Sequence, residues 1–286
     1  MDVDIASVAL RALAFAAMWQ AAGIALFTAI FRRHLIVSLP LVRRVGLWSA
    51  STAFLLVVAH HGLEAARRSG DLSGAWDVAL QKQVLYSSVG AANVVRLIAL
   101  SLVAMGLMSK TGSRGRLGVL GALTLPTAFL LTGHTSTHPL RWILAPLLGA
   151  HLLVVAFWFG ALPALYIASR RESAATAAAL TASFTVRATW LVPLIALSGI
   201  GIAAILLPNL QALRQPYGLM LLAKLGGFVV LMALAALNKW RLGPGIATGD
   251  WAAVTAFRRS VASEYIVLMA VLAVTATLTS QFSPEP

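Results

Sequence analysis

Ile143-Leu-Ala-Pro-Leu-Leu-Gly-Ala-His151-Leu-Leu-Val-Val-Ala-Phe-Trp-Phe-Gly-Ala-Leu-Pro-Ala-Leu-Tyr166 is a continuous apolar run holding one histidine and no charged residue. About 20 such residues cross the hydrocarbon core of a bilayer as a helix, so this run spans it with some tilt. Directly before it stands a polar link, Thr132-Gly-His-Thr-Ser-Thr-His-Pro-Leu-Arg-Trp142, with His134 and His138. His151 lies about ten residues into the span, roughly 15 Å deep and near the midplane. An imidazole at that depth is expensive without a partner, so the run decides both the fold class and the chemistry to look for.

The rest of the chain agrees with a bilayer. Of 286 residues, 59% are hydrophobic and 11% charged, with mean hydropathy +0.86, whereas soluble domains carry about 25% charged residues. The chain has no cysteine, which removes disulfides, thiolate metal sites and Cys nucleophiles, and leaves His, Met, carboxylate and backbone as ligands. The start Met1-Asp2-Val3-Asp4 lacks the basic beginning of a cleavable signal peptide, so the first hydrophobic run is expected to remain as a span.

Eight apolar runs are readable, near 8–31, 42–61, 84–108, 117–132, 141–168, 185–207, 216–238 and 260–280. They predict an all-α, polytopic membrane protein, one bundle and one membrane domain over 1–286. The fourth run is short and contains Pro126, which predicts a tilted or kinked helix. The link 62–83, with Trp76, is expected to carry a short interfacial helix, and Arg241-Leu-Gly-Pro-Gly245 reads as a turn followed by a loop.

The net charge of +13 divides by membrane side, so it indicates orientation and no nucleic-acid partner. One set of links carries Arg32, Arg33, Arg43, Arg44, Lys110, Arg114, Arg116, Arg170, Arg171, Arg187, Lys239, Arg241, Arg258 and Arg259, against Glu172, Asp250 and Glu264. The opposite set has Arg11, Arg67, Arg68, Lys82, Arg141 and Arg214, matched by Asp2, Asp4, Glu64, Asp71, Asp77 and Glu285. The positive-inside rule puts the first set in the cytoplasm and both termini in the periplasm of a bacterial inner membrane.

On that topology His60 and His61 close the second span at its outward end, His134 and His138 occupy an outward link, and His151 lies deeper. Only His34 is on the inward side, among basic residues, where it reads as a headgroup contact. Imidazole ligates copper in either oxidation state, and thioether favours Cu(I), so Met18, Met220 and Met269 stand as further candidates. Plainer accounts exist for each: polar residues at a helix exit, solvated link residues, a histidine bonded to a neighbouring helix, methionines in core packing. Asn93 and Arg96 also lie at depth, Arg96 without a carboxylate at its level. Lys224 is expected to snorkel outward along its stem, and Glu264 to pair with Arg187, Lys239 or Arg259.

The segment His151-Leu-Leu-Val-Val-Ala-Phe-Trp-Phe-Gly-Ala-Leu162 resembles the signature of the copper resistance protein D family, and Gly133-His134 resembles the Gly-His before it. Pro216-Tyr-Gly-Leu-Met-Leu-Leu-Ala-Lys-Leu225, Ala236-Leu-Asn-Lys-Trp-Arg241 and Ser260-Val-Ala-Ser-Glu264 are similar to later family segments. The resemblance runs over about 133–280, with the earlier spans matching in number and placement. It implies an eight-span inner-membrane protein moving copper from periplasm to cytoplasm, working with a separate periplasmic copper-binding protein of the C type. Lys224, Asn238 and Glu264 match the family pattern, with structural and coupling roles equally open.

The resulting expectation is a copper permease, not an enzyme. Copper ion (Cu+ or Cu2+) is received at His60, His61, His134 and His138 and handed to His151. No Gly-x-x-x-x-Gly-Lys-Ser/Thr loop is present, so a gradient, a redox step or downstream chelation would drive it. Two rivals use the same residues. One is a b-type membrane cytochrome or metal reductase with haem on His60 or His61 and His151; the other is a non-transporting copper sensor or docking platform.

Overall fold

A computed structural model describes residues 2–109, 112–207 and 209–281, apart from the side chains of 2–7, 112–114, 134 and 281. The charges read at Asp2, Asp4, Lys110, Arg114 and Glu285 fall outside that description. Backbone without water must bond to itself, and the described residues answer with helices and no strand: α1 Asp2–Phe31, α2 Leu39–Ser69, α3 Val78–Leu85, α4 Ser88–Met108, α5 Gly112–Thr124, α6 Thr127–Leu130, α7 His134–Thr137, α8 Arg141–Arg171, α9 Ala174–Leu206, α10 Pro216–Leu237, α11 Gly243–Ala247 and α12 Trp251–Gln281.

Among the described residues seven helices are long and apolar enough to cross a membrane, and a shorter apolar helix, Gly115–Leu130, supplies the fourth run. That short run breaks where its proline predicts. α5 stops at Thr124 and α6 starts at Thr127, because Pro126 lacks an N–H and its ring crowds the preceding turn.

α1 is the hub. It packs on α2, α4, α5, α8 and α12, and two thirds of its most apolar window (67%) is buried against 6% for α9 and α10. Its residues Met18, Trp19, Ile24, Phe27 and Phe31 are almost fully enclosed. Small residues permit the closest approach. A Cβ on Gly23 of α1 would strike the backbone of Ala156 and Gly160 in α8, and one on Gly160 would strike Gly23 and Ile24. Toward one end, Phe27, Phe31, Phe157 and Phe184 pack ring on ring, with Phe157 stacked 5.9 Å from Phe184, joining α1, α8 and α9.

The bundle has two chemically different ends. At the end carrying the chain termini, Arg11 donates to the Thr279 carbonyl at 3.1 Å, tying α1 to α12. At the opposite, basic end, Glu172 Oε1 accepts from the Val37 N–H (2.9 Å), the Ser38 N–H (2.8 Å) and the Ser38 hydroxyl (2.5 Å), clasping the start of α2 to the end of α8. There too Arg258 donates to Ser169 Oγ at 3.2 Å and to the Ser169 carbonyl.

One local expectation changes, and the short helix expected in the link 62–83 is present. The stretch 241–245 is helical: residues Asn238–Leu242 form a π-turn and Gly243–Ala247 a short helix, since Pro244 sits in a first turn, where its missing N–H removes no bond. Between the second and third spans, α2 continues to Ser69 and ends at Gly70 (φ 79). A 3-10 turn over Leu72–Trp76 and α3 then follow, with Trp76 largely exposed.

Candidate functional site

At the terminal end, the last turns of α2 meet α4 and α1. His60 is buried (9% exposed), and its Nε2 has no hydrogen-bond partner. Arg11, Arg96 and Arg67 stand close enough for their charges to act on that ring. His61 is half-buried and faces α4, its Nδ1 3.5 Å from Asn93 Nδ2. Asn93 in turn accepts from Arg96 Nη1 at 2.7 Å, and the Arg96 guanidinium lies 4.8 Å over the Phe129 ring. Arg96 thus finds an amide and an aromatic face in place of a carboxylate. Glu64, bonded to Arg67 at 3.2 Å, is the nearby acid. Adjacent residues of a helix point about 100° apart, so His60 and His61 serve different neighbours.

Of the two link histidines, His138 is half-buried and its Nδ1 accepts from the Leu140 N–H at 3.0 Å, closing the turn that feeds α8. That bond leaves Nε2 as its outward nitrogen. His134 opens α7, and its side chain lies outside the described residues.

His151 sits on the face of α8 that packs against α9. Its Nδ1 lies 3.3 Å from Ser198 Oγ, and Ser198 is buried, donating to the Ile195 carbonyl at 3.1 Å. Gly199 makes room for the ring: a Cβ there would come within 3.4 Å of His151 Cε1. Lys224 of α10 is half-buried, and its charge acts on the same imidazole.

Deeper toward the basic end, Glu264 of α12 is 3% exposed. Its Oε2 accepts from Trp158 Nε1 at 3.2 Å and its Oε1 from Asn238 Nδ2 at 2.5 Å. Among the described residues the expected ion pair with Arg187, Lys239 or Arg259 is absent. Lys239 donates to Thr189 Oγ1 at 3.1 Å, and Arg187 is bonded to Ser183 and lies over Phe31. Neutral donors from two other helices reach the carboxylate first because it faces α8 and α10. Beside it, a cavity of about 250 Å³ lies between α8, α9, α10 and α12.

The methionines divide: Met18 is sealed in the α1 core, Met269 packs against that core, and Met220 is half-buried on α10. Among the described residues, no three or more His, Asp or Glu side chains gather into a metal-sized group. Among the described residues, then, the imidazoles do not assemble with one another or with carboxylates into a site of three or more ligands. Arg11 and Ser198 neighbour these imidazoles and were not singled out from sequence. Ser198, a hydroxyl in an apolar run, was a visible signal; Arg11 needed the packing of α1 on α2.

A family description of copper resistance protein D matches residues 178–278, and that of the copper resistance protein D-like N-terminal domain matches residues 1–139. The stretch with His151 and Trp158 lies between the two matched ranges. No curated relative and no solved structure matches the chain. With the two descriptions laid end to end over a bundle of apolar helices, the chain belongs to the copper resistance protein D family, multi-span membrane proteins with a copper-related function.

Proposed function

We propose that the chain is a permease carrying copper from the periplasm to the cytoplasm, passing it between single imidazole stations. The basic end, with Arg32, Arg33, Arg43, Arg44, Arg170, Arg171 and Arg258, is taken as cytoplasmic by the positive-inside rule, which leaves both termini periplasmic in a bacterial inner membrane. The observation carrying the reading is His60: a buried imidazole at the periplasmic end whose Nε2 is not used by any described protein group. His61, His134 and His138 surround the entry side in this reading, and His151 is the next station inward, held by Ser198.

One ligand per station is weak coordination, which suits conduction because an ion bound by three or four ligands would not leave. The guanidiniums of Arg11, Arg67 and Arg96 near His60 raise the energy of a dication more than that of a monocation, which favours Cu(I) as the species carried. Delivery by a separate periplasmic copper-binding protein of the C type fits a chain whose described outward links are short.

The test is copper accumulation in proteoliposomes containing purified protein. Wild type is expected to load the lumen with Cu(I), and His151→Ala to abolish loading while eluting and unfolding like wild type. Wild-type vesicles that bind copper but never accumulate it would replace the permease with the sensor or docking reading; undiminished uptake by His151→Ala would remove that residue from the path.

A further inference from the structure

We infer that Glu264 is a proton-binding site of the bundle, loaded and emptied through the cavity beside it. Its use as the coupling step rests on the copper translocation proposed above; the proton site itself does not.

The argument starts from supply and demand for hydrogen-bond donors. Two carboxylate oxygens and the Asn238 carbonyl oxygen meet at this point, and the donors are Trp158 Nε1 and Asn238 Nδ2. Asn238 Oδ1 is buried with no partner. A carboxylate bears about four acceptor sites, so the group as it stands is short of hydrogens. An ionised carboxylate at 3% exposure, inside a membrane bundle, needs a cation. Among the described residues no cation pairs with it, and three cations of the neighbouring elements bond elsewhere. Lys239, from the π-turn, bonds Thr189; Arg187, on α9, bonds Ser183 and covers Phe31; Arg258, on α12 itself, bonds Ser169. Tyr265 donates to Gln20 Oε1 at 2.5 Å, and α8 contributes Trp158, which is uncharged. What remains to neutralise the carboxylate is a proton.

The cavity supplies the route. Its wall includes Glu264, Asn238, Lys239, Thr189 and Thr185, polar groups set in an otherwise apolar lining of Trp158, Met232 and their neighbours. At about 250 Å³ it has room for several waters within reach of polar partners. Asn238 and Lys239 both belong to the π-turn at the end of α10, a backbone irregularity of the kind that recurs at functional sites. On release, the O–H bond of Glu264 breaks, the proton passes to cavity water and on to the basic end, and the negative charge stays on the carboxylate. Lys239 can then leave Thr189 and answer that charge. No electron moves, and the balance closes with water alone. Release therefore pulls on the π-turn and on α9, which also holds Ser198 against His151.

Infrared difference spectroscopy on metal-free protein in lipid tests the site directly. Wild type is expected to show the C=O band of a protonated carboxylic acid at neutral pH, disappearing at alkaline pH, and Glu264→Gln to lack that titrating band. Trp158→Phe keeps the carboxyl and removes a donor that favours the ionised form, so its band should persist about one pH unit higher. This arm decides even if Glu264→Gln fails to fold. An identical titration in wild type and Glu264→Gln, or a downward displacement in Trp158→Phe, overturns the assignment. Copper flux under an imposed pH gradient tests the coupling: Glu264→Gln should lose the gradient dependence that wild type shows, and its retention overturns coupling. Wild-type vesicles that move no copper at all count against the permease and leave the infrared result to decide the proton site.

Discussion

Replacing Gly160 by alanine should loosen the centre of the bundle more than any other single methyl added to α8. The new Cβ would collide with the backbone of Gly23 and Ile24, atoms with no rotamer to yield, and the reciprocal positions on Gly23 meet Ala156 C at 2.7 Å and Gly160 N at 2.8 Å. Since the Cβ on Gly160 would lie 2.2 Å from Gly23 C, restoring ordinary contact of about 3.5–4.0 Å requires α1 and α8 to part by more than roughly 1 Å. A radial gap of that size forfeits a quarter to a half of each dispersion well along the crossing, where Trp19, Phe27 and Phe159 are almost fully enclosed. Overpacking of this kind costs about 1–3 kcal/mol, and the upper half applies because backbone meets backbone. A loss of about 2–3 kcal/mol lowers the folding equilibrium constant about 30- to 150-fold. The assay is equilibrium unfolding in mixed micelles with rising SDS fraction, followed by the near-ultraviolet signal of Trp19 and Trp158. Gly149→Ala is the control on the same helix, since nothing lies within 4 Å of its Cβ, and it should be neutral or gain up to about 1 kcal/mol from helix propensity. Equal midpoints for Gly160→Ala and Gly149→Ala would refute the tight crossing.

Glu172→Ala removes an acceptor shared by two backbone N–H groups and the Ser38 hydroxyl, and should destabilise the protein by about 1–3 kcal/mol by the same unfolding measurement, with Ser38→Ala losing less. Purified protein should show no Soret band, with or without added copper; a Soret band abolished by His60→Ala or His151→Ala would establish the cytochrome reading instead.

Much of the architecture is legible in the residues because lipid enforces a simple rule. A run such as 143–166 has no alternative to a helix, and Pro126 marks the break of the fourth run without help from tertiary structure. The ends of helices are harder to read. α9 begins at Ala174 and α12 at Trp251, well before their apolar runs, because alanines and arginines outside the hydrocarbon remain good helix formers. At the functional stations the limit is which helices become neighbours. Arg96 could be paired with Asn93 from a spacing of three, yet its stacking on Phe129 needed the fold. Glu264 drew an expectation of a cationic partner from basic residues of the inward side, Arg187, Lys239 or Arg259; its donors come from Trp158, 106 positions away, and Asn238. Hydropathy and charge order encode depth and side; they carry no record of which face meets which.

The hub position of α1 has a consequence for biogenesis. The helix is synthesised well before α12, yet two of its side chains find partners there: Arg11 waits for Thr279, and Gln20 for Tyr265. Gln20 can meanwhile reach Ser49 of α2 at 2.8 Å, an early half-satisfaction. Until α12 arrives, a polar amide and a face of small residues stay open to lipid or to a chaperone in the insertion machinery. A nascent chain stalled before Trp251 therefore displays an unmet surface on α1, a mark by which quality control can distinguish unfinished chains from mature ones.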